Sequence, residues 1–193
     1  MSDINQRIAS LSPEKRAILE QRLREKATQA QQKKAIPKID RLGSLPLSFS
    51  QQRMWFLERL DPGNFAYNRP AALQLTGRLN ISVLEKCLKE ITARHEVLRT
   101  IFPSINGVPQ QKILPELNLK LSITEVLSES NSEQKAKLKH LMQQESKLPF
   151  DLINGPLVRA TLFKLAEADH ILLLVFHHIV FDGWSMGVLR QEL

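Results

Sequence analysis

The sequence has little cysteine and no long apolar run. Cys87 is the single cysteine among 193 residues, so no disulfide can form within the chain, as is usual in a reducing cytoplasm. The longest uninterrupted apolar stretch, residues 171–176, has six residues, whereas a membrane-spanning helix needs about 20. The first residues also lack the charged and then apolar layout of a signal peptide. We therefore expect a cytoplasmic protein that does not enter a membrane.

Signatures of several common activities are missing as well. No Gly-x-Gly-x-x-Gly or Gly-x-x-x-x-Gly-Lys loop occurs, so the sequence shows no turn that would hold a nucleotide phosphate. We do not expect a Ser-His-Asp hydrolase, because we recognise no nucleophile elbow between a strand and a helix.

The net charge of +7 is typical of a nucleic-acid-binding protein, but its distribution argues against that function. Residues 1–41 hold ten basic and five acidic side chains, whereas residues 42–193 hold 17 and 15. Residues 1–41 contain no aromatic side chain on which an unpaired base could stack. We predict no nucleic-acid partner, and we expect the basic segment to meet an acidic protein surface.

Residues 1–41 predict a basic helical arm followed by a linker. Ser12 is a good N-cap and Pro13 fits the first helical position. Apolar residues recur every three or four positions, at Ile4, Ile8, Leu11, Ile18, Leu19 and Leu23. The helix either packs on its own domain or docks a partner, and we place the docking segment within residues 1–35.

Residues 42–193 predict one α/β domain. Helical spacing occurs in residues 48–60, 81–95, 132–148 and 184–193. Strand patterns occur in residues 71–75, 108–114, 117–123, 157–165 and 170–179. The last strand is apolar on both faces, which predicts a central position in a sheet covered on both sides. The irregular order of strands and helices favours an α/β sandwich with a mixed sheet flanked by helices.

A polar segment follows directly on the most apolar strand. It contains His177, His178, Asp182 and Gly183. An imidazole at the mouth of a strand can accept or donate a proton near neutral pH. Asp182 stands four residues after His178, so the chain must turn between them, and Gly183 permits a turn. The residues alone allow three interpretations: an ordinary strand end, a proton-transfer site and a zinc site. The zinc site is the weakest of these, because the sequence shows no second cluster of ligand residues.

Four ordered blocks resemble condensation domains of nonribosomal peptide synthetases. Residues 177–185 resemble the family's His-His-x-x-x-Asp-Gly signature, and acyltransferases of the chloramphenicol acetyltransferase type share its shorter His-x-x-x-Asp-Gly form. Residues 47–57, 94–102 and 149–160 resemble the motifs that precede this signature. The resemblance implies a chloramphenicol acetyltransferase-like lobe.

The resemblance also implies an activity and a set of site residues. Condensation domains join a donor acyl or peptidyl thioester to an acceptor aminoacyl thioester, each held on the 4'-phosphopantetheine arm of a carrier protein domain. No cofactor or metal would bind the chain directly. By the match His178 is the catalytic residue, Trp184 and Ser185 lie along the substrate tunnel, and Asp182 pairs with Arg94 or Arg99. Supporting roles fall to His177, Asp182, Gly183, Arg94 and Arg99.

The resemblance covers only part of a condensation domain, because the motifs of the family's second lobe are absent. The helix at residues 184–193 also lacks a capping residue. We therefore expect residues 42–193 to be an N-terminal lobe that is inactive alone and needs a C-terminal lobe and neighbouring synthetase domains. Two alternatives stay open: a non-catalytic docking fragment of a synthetase, which would meet an upstream subunit through residues 1–35, and another acyltransferase of the superfamily.

Overall fold

The computed structural model describes residues 12, 13, 15, 17, 18, 20–22, 45–128 and 130–193. The chain divides into two units, Met1–Leu42 and Gly43–Leu193. The described positions 13–22 of the first unit are helical, and the Lys15 N–H donates to Oγ of Ser12 at 3.4 Å. This bond supports Ser12 as the N-cap. Most of the predicted docking segment, residues 1–35, lies outside the described residues.

The described part of the second unit contains four α-helices, one 3-10 turn and eight strands. The helices are α1 (Phe49–Leu60), α2 (Ile81–Arg94), α3 (Asn131–Lys147) and α4 (Gly183–Glu192), and the 3-10 turn is Glu96–Arg99. The strands are β1 (Leu45–Pro46), β2 (Asn68–Thr76), β3 (Thr100–Ile101), β4 (Ser104–Ile105), β5 (Val108–Ile113), β6 (Leu121–Glu125), β7 (Val158–Ala166) and β8 (Asp169–His177). None of the helices described is long and apolar enough to cross a membrane.

The main sheet has the strand order β2-β8-β7-β6. β8 pairs antiparallel with both β2 and β7, while β6 runs parallel to β7. The predicted mixed sheet is therefore confirmed, and β8 is central, as its apolar sequence predicts. All side chains from Leu172 to His177 are buried, which places the first histidine of the signature inside the core at the end of β8. A second, small sheet joins β5 to β1, β3 and β4.

Local capping sets where the first three of the four helices begin. Ser48 and Gln51 form a reciprocal capping box at the start of α1. Asn80 accepts from the Val83 N–H before α2, and Ser130 accepts from the Glu133 N–H before α3. Each side chain satisfies an N–H group that the helix leaves without a partner. The predicted helix starts agree with these caps to within about two residues.

Residues 117–123 differ from the prediction, since only Leu121–Glu125 form a strand. Leu117 and Leu119 keep the predicted alternation and pack against the core, but they pair with no described strand. Alternation reports which side of an extended chain is buried, and it does not report hydrogen-bond partners. The two-residue strands β1, β3 and β4 were not predicted, because such short segments carry no periodic signal.

Candidate active site

A five-residue loop, residues 178–182, connects β8 to α4. The His178 N–H donates to the Tyr67 carbonyl at 2.9 Å, and the Val180 N–H donates to the His177 carbonyl at 3.1 Å. From α1, Nε2 of Gln51 reaches the Ile179 carbonyl at 3.5 Å. A backbone bond to Tyr67 and a side-chain bond from Gln51 therefore hold the loop from two sides, which lets it present a side chain in one orientation.

His177 lies inside the core with 1% of its surface exposed. Its Nδ1 accepts the Ile179 N–H at 3.1 Å, so in the neutral ring the proton sits on Nε2. Burial, with a smaller contribution from His178, lowers the pKa of His177 to about 4. His177 is thus neutral at pH 7 and supports the loop from the core side, through its bond to Ile179.

His178 is half-buried and has the opposite arrangement. Its Nδ1 lies 2.7 Å from the Phe181 carbonyl oxygen. A carbonyl oxygen only accepts, so Nδ1 carries the proton and Nε2 of the neutral ring is an acceptor. The Phe181 ring stacks on Phe176, with centroids 3.8 Å apart and planes at 5°, which fixes the carbonyl. Within the described part of the chain, no group bonds Nε2 of His178.

Asp182 caps α4 instead of pairing with an arginine. Its Oδ1 accepts from the Ser185 N–H at 2.9 Å and from the Ser185 hydroxyl at 2.7 Å. These bonds lower the pKa of the Asp182 carboxyl. The predicted pairing with Arg94 or Arg99 is therefore wrong, because a hydroxyl three residues away satisfies the carboxylate locally.

The two arginines of residues 94–102 that were predicted to support the site have other partners. Arg99 donates through Nη1 to the Leu114 carbonyl and through Nη2 to Oε1 of Glu96 at 3.4 Å. Arg94 pairs with Oε1 of Glu192 at 3.4 Å. Arg99 thus ties the 3-10 turn to the end of β5, and Arg94 ties α2 to the last turn of α4.

The residues after Asp182 form the first turn of α4. A Cβ atom on Gly183 would meet no described atom within 4 Å, so the described residues do not require glycine at this position. Trp184 is 85% exposed, and the hydroxyl of Ser185 is bonded to Asp182. The pentapeptide Gly183–Gly187 does have the Gly-x-Ser-x-Gly spacing, which the sequence prediction missed. Ser185 nevertheless lies inside a helix that begins six residues after β8 ends, so it forms no nucleophile elbow.

A mostly apolar cavity of about 180 Å³ lies beside the loop. It is bounded by α2, the 3-10 turn, the loop and α4, through residues that include Ile91, Leu98, Phe181, Trp184 and Ser185. His95 stands at its wall with Nε2 at 2.8 Å from Oε2 of Glu192. Both predicted tunnel residues therefore border an apolar space that the loop reaches through Val180 and Phe181, whereas His178 does not line it. An apolar substituent would fit there.

Known proteins resemble this architecture and this loop. Residues 42–193 match the family described as Condensation domain. The chain belongs to the condensation domain family. It is 42% identical over 193 residues to phosphinothricin tripeptide synthetase PhsC of Streptomyces viridochromogenes, of which it spans 18%. It is 45% identical over 159 residues to malpibaldin synthetase of Mortierella alpina, a match that covers 82% of this chain and 3% of the relative.

Two solved structures share the fold. The starter condensation domain of rhizomide synthetase RzmA superposes with a TM-score of 0.71 at 23% identity, over 78% of this chain and 36% of that one. The complex of the X-domain and OxyB from teicoplanin biosynthesis gives 0.70 at 29% identity, over 82% of this chain and 33% of that one. The chain thus spans about a third of each of these structures, and the mixed α/β fold is common to them.

Sequence reasoning missed two residues that support the loop of this condensation domain. Arg159 donates through Nη2 to the Leu148 carbonyl at 2.6 Å and through Nη1 to the Pro149 carbonyl at 3.1 Å. Its guanidinium lies 3.8 Å from the centroid of Phe150. Phe150 in turn meets the His177 ring edge-on, at 6.1 Å and 89°. Both residues stand in a motif block, but only the folded chain shows that they lie under the histidine.

Asn68 strengthens the same region from the neighbouring strand. Its Nδ2 donates to the Ser146 carbonyl at 2.7 Å and to the Leu148 carbonyl at 2.8 Å. Asn68 is also the residue of β2 that pairs with His177 of β8. The carbonyl groups that α3 leaves without partners are thereby bonded to the strands that carry the site.

Proposed function

We propose that residues 42–193 form the N-terminal lobe of a nonribosomal peptide synthetase condensation domain, and that His178 takes part in amide-bond formation. The observation that carries the proposal is the bond between Nδ1 of His178 and the Phe181 carbonyl. This bond leaves Nε2 as an acceptor at the mouth of the central strand, where it can face a substrate amine.

The proposed reaction joins an acceptor amine to a donor thioester. The amine nitrogen attacks the thioester carbonyl carbon, a C–N bond forms, the C–S bond breaks, and the thiol leaves with a proton while the amine gives one up. Nε2 of His178 accepts a hydrogen bond from the amine N–H, which orients the nitrogen lone pair toward the carbonyl carbon. Nε2 then receives the amine proton. Proton transfer of this kind contributes about 10²–10⁴-fold, and the orientation of two bound substrates can contribute more.

The proposed partners are carrier protein domains, which present both substrates on 4'-phosphopantetheine, and a C-terminal lobe. Two very exposed aromatic side chains support a partner surface beside the loop. Phe49, the first residue of α1, is 91% exposed, and Trp184, in the first turn of α4, is 85% exposed. Aromatic side chains in contact with water so close to a site are typical of protein interfaces.

The basic segment has a proposed role of its own. We propose that residues 1–35 dock an acidic surface of an upstream synthetase protein, because the excess of basic side chains lies there. The attraction should weaken as salt rises. A cytoplasmic location remains part of this proposal and rests on the single cysteine. Fluorescence anisotropy of a labelled peptide of residues 1–35, titrated with that protein at two salt concentrations, measures the interaction directly.

The catalytic proposal is tested by joining a C-terminal lobe to residues 42–193. Residues 42–193 are joined to the segment of PhsC that follows its match to this chain, which serves as the C-terminal lobe, and the hybrid is mixed with two loaded carrier proteins. We expect this hybrid to form the amide, and we expect the 193-residue chain to form none. Amide formation by the chain alone would show that one lobe suffices.

A further inference from the structure

The side chain of Gln51 joins the first turn of α1 to the histidine loop. Its Oε1 accepts the Ser48 N–H at 2.9 Å, and its Nε2 donates to the Ile179 carbonyl at 3.5 Å. The other side chains of α1 with hydrogen bonds in the described part of the chain reach carbonyl or N–H groups outside the loop. Gln51 is thus the one residue of α1 that bonds the loop in the described structure.

The capping box fixes which atom of the Gln51 amide faces the loop. The Ser48 N–H is a donor and takes Oε1, while the Ile179 carbonyl is an acceptor and takes Nε2. Turning the amide over would place donor against donor and acceptor against acceptor. The Ser48 hydroxyl also accepts the Gln51 N–H at 3.2 Å, so both ends of the residue are tied to the start of α1. The amide therefore has one orientation, with its donor toward the loop.

Ile179 is held at both of its backbone groups. Its N–H donates to Nδ1 of His177 at 3.1 Å, and its carbonyl accepts from Gln51. The residue is only 4% exposed, so little water can replace either bond. Ile179 also stands between His178 and Phe181, whose carbonyl oxygen lies 2.7 Å from Nδ1 of His178. A shift of the Ile179 backbone would therefore change the bond that orients the His178 ring.

We propose that Gln51 is a positioning residue for His178. Its bond to the Ile179 carbonyl keeps the loop in the conformation in which Nδ1 of His178 donates to Phe181 and Nε2 stays an acceptor. Gln51 acts through the loop and is not a catalytic residue, and its effect on amide formation rests on the proposed function of His178. Because Oε1 caps the helix and Nε2 supports the loop, a substitution can remove one role and keep the other.

Gln51→Glu separates the two roles. The new carboxylate can still accept the Ser48 N–H, as in the common Ser-x-x-Glu capping box, but it turns an oxygen instead of a donor toward the Ile179 carbonyl. The reporter is long-range ¹H–¹⁵N NMR of the imidazole rings of the full chain at about pH 8, where imidazole is neutral. We expect the natural chain to carry the His178 proton on Nδ1 alone. We expect Gln51→Glu to give a mixture of both tautomers at unchanged helix content.

Two further variants control for charge. Gln51→Met removes the donor without adding a charge and should also give mixed tautomers. Gln144→Glu makes the same change as Gln51→Glu at an exposed position of α3 and should leave the His178 signals unchanged. His178→Gln assigns those signals.

Kinetics of the hybrid with the C-terminal segment of PhsC give the second measurement. Gln51→Glu should lower the single-turnover rate at saturating substrate by about tenfold or more, because the loop is misplaced. The substrate concentration at half-maximal rate should change by less than about twofold, since Gln51 acts through the loop. The proposal is overturned if Gln51→Glu keeps the single Nδ1 tautomer, or if its rate equals that of Gln144→Glu in an active hybrid. A hybrid that forms no amide would refute the proposed function, and the tautomers would still decide the role of Gln51.

Discussion

His177 and His178 are neighbours in the chain, yet their rings carry the proton on opposite nitrogens. Nδ1 of His177 accepts the Ile179 N–H at 3.1 Å, whereas Nδ1 of His178 lies 2.7 Å from the Phe181 carbonyl. One ring therefore closes the loop from inside the core. The other ring presents a free acceptor at the loop surface, and this difference separates the supporting histidine from the proposed catalytic one.

The burial of His177 predicts a specific dependence of stability on pH. Its pKa is about 4 in the folded chain, against an ordinary value of 6.5. The unfolded chain binds more protons between these values, so the free energy of unfolding falls as pH drops from about 6.5 to about 4. The full loss is about 3 kcal/mol for this shift. Urea unfolding at several pH values measures it.

The His177→Gln variant identifies the group responsible. It removes the titration, so its free energy of unfolding should vary less with pH over that interval. His140→Gln, which removes an exposed histidine of α3, should behave as the natural chain. An unchanged pH dependence in His177→Gln would contradict the assignment.

Arg159 is predicted to stabilise the loop region through several bonds at once. Arg159→Met removes its donors to the Leu148 and Pro149 carbonyls and its contact with Phe150. We expect a loss of about 2–3 kcal/mol in the free energy of unfolding. Arg159→Lys should retain only part of the stability that Arg159 provides, since an ammonium group cannot reproduce the planar, forked donor geometry of a guanidinium. Arg78→Met, at an exposed site, should cost less than about 0.5 kcal/mol, and equal effects at both sites would refute the role of Arg159.

The capping role of Asp182 predicts independence from Arg99. Asp182→Ala should cost about 1 kcal/mol in the free energy of unfolding, as the loss of an N-cap does. A double-mutant cycle with Arg99→Met should give a coupling below about 0.5 kcal/mol, because the two residues share no partner. Equilibrium unfolding of the four proteins measures the coupling. A coupling clearly above this value would contradict the capping role and support the Asp182–Arg99 ion pair that the family resemblance implied.

Local signals and long-range contacts differ in how well the sequence predicts them. The central position of β8 and the helix predicted over residues 48–60 follow from an apolar run and from helical spacing, which are local features of the sequence. The partner of Asp182 is also local, because Ser185 stands three residues later in an Asp-x-x-Ser box. The prediction of Arg94 or Arg99 came from the family resemblance and not from this local pattern. The bonds of Arg159 and Asn68 to the end of α3 join segments 10 to 80 residues apart. No periodic pattern marks such contacts.

The role of His178 is tested most directly by the single-turnover rate of amide formation in the hybrid condensation domain with loaded carrier proteins. We expect His178→Ala to lower this rate by about 10²–10⁴-fold and His140→Ala to leave it unchanged. A His178→Ala rate equal to that of the unsubstituted hybrid would contradict the proposed role of Nε2.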